Sequence, residues 1–293
     1  MPEADLPRVA TRNIDSWSEF VAIIQSWSGF RNWCFRGQGD ARWSLQPSLS
    51  RHIEVAKVAS RVWQLQEERI RRIFERKSHL FMSDGPSDDE LEWLALMQHH
   101  GAPTRLLDFT FSPYVAAFFA LERAATDAAI WALNLPLLWQ IHDTHRIGRV
   151  KVDEAANPRD RDAFRDLYLP NRHAFVWQGD PFRMPQRVVA QSGTFLVLSH
   201  LGLTVEQIVA KYPGKGPLLV KFVLNSDRVR SEAMASLYSM NITQATLFPG
   251  LDGLARSMAY EFEYSWQVDV RTSKPLANLK DPRVPTSVLK RSR

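Results

Sequence analysis

Apolar residues recur at helical spacing in "NIDSWSEFVAIIQSW", where Trp17, Phe20, Ile23, Ile24 and Trp27 follow Asp15 or Ser16 as cap. The spacing predicts an amphipathic helix ended by Ser28 and Gly29. "WCFRGQ" then begins as a short apolar strand that Arg36 interrupts. Residues 53–82 contain no Gly or Pro and repeat apolar positions every three or four residues, which predicts one long helix or two joined ones with a solvated charged face. Ser87 with Glu90 three residues on reads as a capping box that opens a further helix, ending at Gly101. A short strand through Leu106, Leu107 and Phe109 meets Ser112-Pro113, a cap followed by proline at the first helical position. The helix that follows, from 113 to about 125, is apolar nearly all round and is therefore expected to be buried.

Beyond it the period changes. "AAIWALNL" (128–135), "GTFLVLS" (193–199) and "PLLVKFVL" (217–224) are short, β-rich and bounded by Pro, Gly or Asn, so they read as strands. Between the first two lies an irregular insertion, 136–190, with a polar helix near 158–168, the piece "HAFVWQGDPF", and Trp139, Phe175 and Trp177 as packing aromatics or base-stacking candidates. "TVEQIVAKY" reads as a helix, and the sequence after 225 as two helices joined by a loop around Phe248-Pro249-Gly250. The expected architecture is one α+β domain with helical additions at both ends. Residues 1–30 form an N-terminal helix, 31–270 the domain itself and 271–293 a flexible tail.

Composition narrows the class. With 293 residues, 45% of them hydrophobic, the chain can bury a substantial core. Lys and Arg outnumber Asp and Glu by 37 to 32, a diffuse excess that favours anionic partners. A single cysteine, Cys34, excludes an internal disulfide and a cysteine-based zinc site; between Trp33 and Phe35 it reads as a small buried hydrophobe. No apolar run reaches the ~18 residues of a membrane helix, so a cytoplasmic protein without a membrane partner is expected.

Two segments that end apolar elements concentrate polar side chains: Arg36 and Gln38 in the first, and Gln98, His99, His100, Thr104, Arg105, Asp108, Thr110 and Ser112 in the second. Polar groups at strand ends and helix starts are where sites are built on rigid elements. His99 and His100, adjacent on a helix, diverge by about 100° and do not easily face one ion, so no metal is expected. Arg105 and Asp108 can pair with each other, and Thr110 and Ser112 can serve as a turn and a cap or lead a ligand to the helix N-terminus. GxxxxGK[ST], GxGxxG, GxSxG and HExxH are all absent, which removes the common nucleotide, hydrolase and zinc-protease readings.

Four ordered motifs, "CFRGQ" (34–38), "LALMQHHGAPTRLLDFTFSPYVAAFFA" (94–120), "QSGTFLV" (191–197) and "LFPGLDGLA" (247–255), together resemble the FRG domain family over roughly residues 17–260. Phe35, Arg36 and Gly37 supply the motif behind that family's name. The order of parts also resembles, more distantly, the ADP-ribosyltransferase fold. That likeness implies a mixed or antiparallel split sheet, with Arg36 in the place of an NAD-gripping Arg or His and Thr110 and Ser112 where those enzymes carry "STS". Gln191 stands where they carry a glutamate, a departure from the pattern; Asp108, or Glu261 and Glu263, are the carboxylates that can replace it.

The resemblance implies NAD as a substrate, bound by Arg36, Gln38, His99, Thr104, Arg105 and Ser112, with Arg36, Asp108, Thr110 and Gln191 as the catalytic set. ADP-ribose would pass to a nucleic-acid or protein acceptor, and a toxin or phage-defence effector is the implied role. A non-catalytic nucleotide- or protein-binding module is the alternative, and a metal-dependent nuclease using His99, His100 and Asp108 a third.

Overall fold

The computed structural model describes residues 7–27, 29–82, 88–147, 150–263, 268–269 and 274–275. The chain forms two compact units, Met1–Ile242 and Thr243–Arg293. The first is built on seven strands: β1 (Val9–Ile14), β2 (Trp33–Gln38), β3 (Leu106–Thr110), β4 (Ala128–Asn134), β5 (Val176–Gly179), β6 (Gly193–Leu198) and β7 (Leu219–Leu224). They form one open sheet in the order β1-β7-β4-β2-β3-β6-β5, in which β1 and β7 run parallel and every other neighbour antiparallel. The α+β class expected from the sequence is the one observed.

Pairing is uneven along this sheet. β2 runs with β4 from Trp33↔Asn134 to Gln38↔Ala129, and β3 runs with β6 from Leu106↔Val197 to Thr110↔Gly193. Between β2 and β3 the register holds a single pair, Phe35↔Thr110. The sheet is therefore split there, with four strands on one side and three on the other.

Helices cover both faces. On one lie α1 (Trp17–Ser26) and α5 (Pro113–Leu121). Ser16 caps α1, accepting from Glu19 N at 3.1 Å, and Phe20 packs edge-on to Phe222 of β7. Ser112 caps α5, whose Ala116, Ala117, Phe118 and Ala120 are fully buried. The opposite face buries Cys34, Trp131, Leu106 and Phe195 with Leu91, Leu94 and Ala95 of α4 (Glu90–His99) and Leu135, Leu138 and Ile141 of α6 (Leu135–Thr144). α2 (Ser48–Val55) and α3 (Trp63–Ser78) complete the part of the chain between β2 and α4, α7 (Gln186–Ala190) and α8 (Val205–Val209) flank β6, and α9 (Ser226–Ser239) follows β7. Arg230 of α9 donates to the carbonyls of Leu121 and Glu122, both at 2.9 Å, and so satisfies the exposed end of α5.

Three details depart from the sequence reading. β1 precedes α1, so the N-terminal addition contains a strand as well as a helix. The insertion holds β5, the sheet edge beside β6, with Phe175 buried and Trp177 packed against the core. Of the two alternatives read for 53–82, the chain forms two helices, since Lys57 takes φ 51°, a left-handed conformation that stops α2 without a glycine. Asp89 caps α4, accepting from Leu91 N and Glu92 N; Ser87, the expected cap, lies outside the described residues. Gly101, at φ +82°, ends α4 as expected.

The second unit holds α10 (Gln244–Leu247) and α11 (Leu251–Glu263), and two short strands, Val268–Asp269 and Lys274–Pro275, that pair antiparallel. α10 opens with a capping box between Thr243 and Thr246 and is one helix more than the pattern predicts before Phe248.

Candidate functional site at the split of the sheet

Arg36 occupies the split. Its neighbours Phe35 and Gly37 face α1 and α5, where Phe35 meets Trp27 and Gly37 lies against Ala116 and Ala120. Alternation along the strand then puts Arg36 on the other face with Cys34 and Gln38. Where β2 and β3 part, the Asp108 carbonyl has no ladder partner on the β2 side, and Arg36 Nη1 donates to it at 2.6 Å. The same nitrogen is 3.8 Å from Asp108 Oδ2, and the Asp108 carboxylate is more than half exposed. Arg36 Nε is buried without a hydrogen-bond partner among the described residues. Burial pushes the guanidinium's pKa down, with Asp108 opposing and the nearby charge of Arg51 adding to the effect. Arginine stays protonated throughout, so the consequence is a partly desolvated cation.

Three cavities meet at this side chain. One, of about 240 Å³, is bounded by Phe35, Phe109, Phe119, Thr110, Arg187 and Gln191 as well as Arg36 and Asp108. A second, of about 200 Å³, lies between Arg36, Asp108, Ser48, Arg51 and Gln98. A third, of about 560 Å³, is bounded by Arg36, Gln38, Arg42, Trp43 and Arg51. Cationic and apolar walls around one exposed carboxylate suit an anionic, partly aromatic ligand better than a purely apolar one.

The remaining expected site residues divide into those at the cleft and those withdrawn from it. Thr110 lines the smaller part, but its hydroxyl donates to the Gln191 carbonyl at 2.7 Å and accepts from Ser112 N at 3.0 Å. It fixes the end of β3 to the turn before β6. Gln191 ends α7 and lines the same cavity. Ser112 is the α5 cap, accepting from Val115 N at 3.2 Å. Gln38 borders the largest cavity while its amide donates to Ser44 O at 3.1 Å and accepts from the Trp131 indole at 2.7 Å. His99 is half-buried at the end of α4, its imidazole pKa lowered by burial and by the charges of His100 and Arg187.

Arg105 and Thr104 are not cleft residues. Arg105 is fully buried, donates to both carboxylate oxygens of Glu67 and to Leu198 O, and stacks over Phe164 and Tyr168. The expected Arg105–Asp108 pair is replaced by two others, Arg105–Glu67 in the core and Arg36–Asp108 at the split. Thr104 is buried, bonded to Gln98 and Leu106 N through its hydroxyl and to Ser48 through its amide. The nuclease set does not assemble either. The rings of His99 and His100 stand edge-on at 4.8 Å, and His100 borders an apolar cavity beside Ile73 and Phe74 of α3 while Asp108 faces the cleft. Among the described residues no cluster of three His, Cys, Asp or Glu side chains is placed to hold a metal ion. The side chains of Glu261 and Glu263 lie outside the described residues.

Six of the residues placed on these cavities escaped the sequence reading: Arg42, Trp43, Ser48, Arg51, Phe119 and Arg187. Arg42 and Arg51 stand in the polar run after Gly39, where density of charge was the only signal; Arg187 and Phe119 reach the site through helices whose facing is set by the sheet. No helix among the described residues is long and apolar enough to cross a membrane. No curated protein and no solved structure matches the chain. The FRG domain profile does match, over residues 31–129, the stretch that supplies β2, β3, α5 and the Arg36–Asp108 pair. The chain contains an FRG domain, and its motif arginine is the residue at the split of the sheet.

Proposed function

We propose that the cleft binds NAD or a closely related dinucleotide and catalyses transfer of its ADP-ribosyl group. The observation that carries this reading is the pairing of a partly buried arginine with an exposed carboxylate at the junction of three cavities, Arg36 with Asp108. Arg36 spends one donor on the Asp108 carbonyl and keeps others for a pyrophosphate, which its planar fork suits. The nicotinamide ring would lie against Phe119, with Gln191 and Arg187 at the ribose.

In the reaction the C1′–N bond to nicotinamide breaks, nicotinamide leaves neutral with the bond pair, and the acceptor's nucleophile bonds to C1′ and loses its proton to solvent. Positive charge develops on the ribose as the bond breaks, and the Asp108 carboxylate is the group available to stabilise it, which Gln191 cannot do with charge. The order of motifs relating the chain to ADP-ribosyltransferases supports the same reading.

A binding module without turnover is the second reading, favoured by Gln191, two residues before β6, where the resemblance implies a glutamate. Nicotinamide release and NAD binding by calorimetry separate the two, on wild type, Asp108→Asn and Arg36→Lys. Wild-type release that falls by about 10²–10³ in Asp108→Asn, with NAD affinity kept, is the expected result. Binding without release establishes the module, and release unaffected by Asp108→Asn removes Asp108 from the chemistry.

A further inference from the structure

The largest of the three cavities is not used by the chemistry above. Its walls carry three guanidinium groups, from Arg36, Arg42 and Arg51, the indole of Trp43, and no carboxylate among its lining residues. Trp43 is 58% exposed, whereas Trp17, Trp33 and Trp131 are buried in the core. Its position is built. The turn that carries it closes with Trp43 N donating to Asp40 O at 3.2 Å, and Asp40 accepts from the Arg42 amide at 2.8 Å and from Arg42 Nε at 3.0 Å. The turn thus places Trp43 next to Arg42, and both line the cavity.

We infer that the Arg42–Trp43–Arg51 surface docks single-stranded nucleic acid; resting on the cleft reading above, this strand is the acceptor class for the ADP-ribosyl group. A groove of cations beside an aromatic platform is how single strands are held without sequence readout, the backbone on the charges and a base on the ring. Asp40 answers the charge of Arg42 and Asp108 that of Arg36, so Arg51 is the cation of this cavity with no carboxylate partner among the described residues. Arg51 lies near enough to depress the Arg36 pKa, and a phosphate between the two would relieve that repulsion. A duplex keeps its base faces stacked and offers Trp43 nothing to cover. An acidic peptide would use the guanidiniums and gain little from the exposed indole face. Because Arg36 borders both this cavity and the cleft, a strand seated on Trp43 lies next to the proposed ribose site.

The test is anisotropy of fluorescein-labelled oligothymidylate with the full chain, across a salt series, beside NAD binding measured separately. Salt-dependent binding is expected, weakened at least about fivefold by Trp43→Ala, largely retained by Trp43→Phe, and reduced in salt slope by roughly one in Arg51→Ala. Trp43→Ala should leave NAD binding and acceptor-free nicotinamide release unchanged. The inference is overturned if no oligonucleotide binds at low salt, if Trp43→Ala binds as tightly as wild type, or if duplex or polyglutamate competes as well as the single strand. Oligonucleotide binding through Trp43 in a protein that does not bind NAD supports the docking surface while removing the cleft reading and the acceptor role. NAD turnover with no oligonucleotide bound does the reverse.

Discussion

Gly37 contributes to the site as directly as Arg36, since it sets how closely α5 can approach β2. A Cβ at this position would collide with the Ala116 carbonyl oxygen and sit 2.6 Å from Ala120 N, both backbone atoms that cannot swing aside. Gly37→Ala is therefore expected to cost about 2–3 kcal/mol, read as a fall in urea midpoint, and to lift β2 off α5. Arg105 illustrates the opposite case: a charged residue of the same motif region that belongs wholly to the core. Glu67→Gln should cost about 3–5 kcal/mol by leaving the Arg105 guanidinium buried without its carboxylate, while Arg105→Met with Glu67→Leu should regain most of the loss. A double-mutant cycle checks both statements. In the sequence Arg36 and Arg105 look alike, each a lone cation beside a short apolar run; what distinguishes them is Glu67, placed by α3 far away along the chain, and that partner carries no local signal.

Among the elements, those with strong local patterns were legible and those fixed by tertiary pairing were not. The caps at Ser16 and Ser112, the glycine stop after α4 and the buried α5 all follow from side chains within a few positions. β1 is an edge strand with three exposed residues, so its apolar alternation is faint, and β5 has four residues inside a loop-rich insertion; both acquire their structure from the neighbour they pair with. α6 also carries a titration that its sequence does not advertise. His142 is buried with Nε2 lacking a partner among the described residues, near Tyr212, and burial, then the charge of His145, lowers its pKa to about 4. The folded value lies below the ordinary one, so protons bind the unfolded chain more tightly. Stability from this group is complete above about pH 6.5 and is lost as pH falls toward 4, by up to about 3 kcal/mol. Urea midpoints measured across that interval should decline in wild type and decline less in His142→Leu.

At the scale of the whole molecule, the cleft is a property of the sheet in the first unit rather than of any motif. It exists because four strands and three strands meet through one residue pair, and the pairs that anchor each side come from distant parts of the chain. The number of strands on each side depends on β1 and β5, which lie outside the four motifs. β1 is the outermost strand of the four-stranded side, and it covers β7, whose "LVKFVL" is an apolar β-rich run. Arg8 ties the same end down, donating to the carbonyls of Pro213, Lys215 and Gly216 in the turn before β7. Removing residues 1–14 should therefore leave β7 as an open edge with Lys221 as its only charge, a template for pairing between copies. Light scattering and gel filtration at micromolar concentration should show association, together with a lowered Tm. Arg8→Ala should reproduce the Tm effect in part, by about 1–3 kcal/mol for three carbonyls left without their donor, with no association because β1 still covers the edge. A truncated chain that stays monodisperse with unchanged Tm would mean that β7 does not depend on β1, and the four-stranded side of the cleft would then be stabilised by β2 and β4 alone.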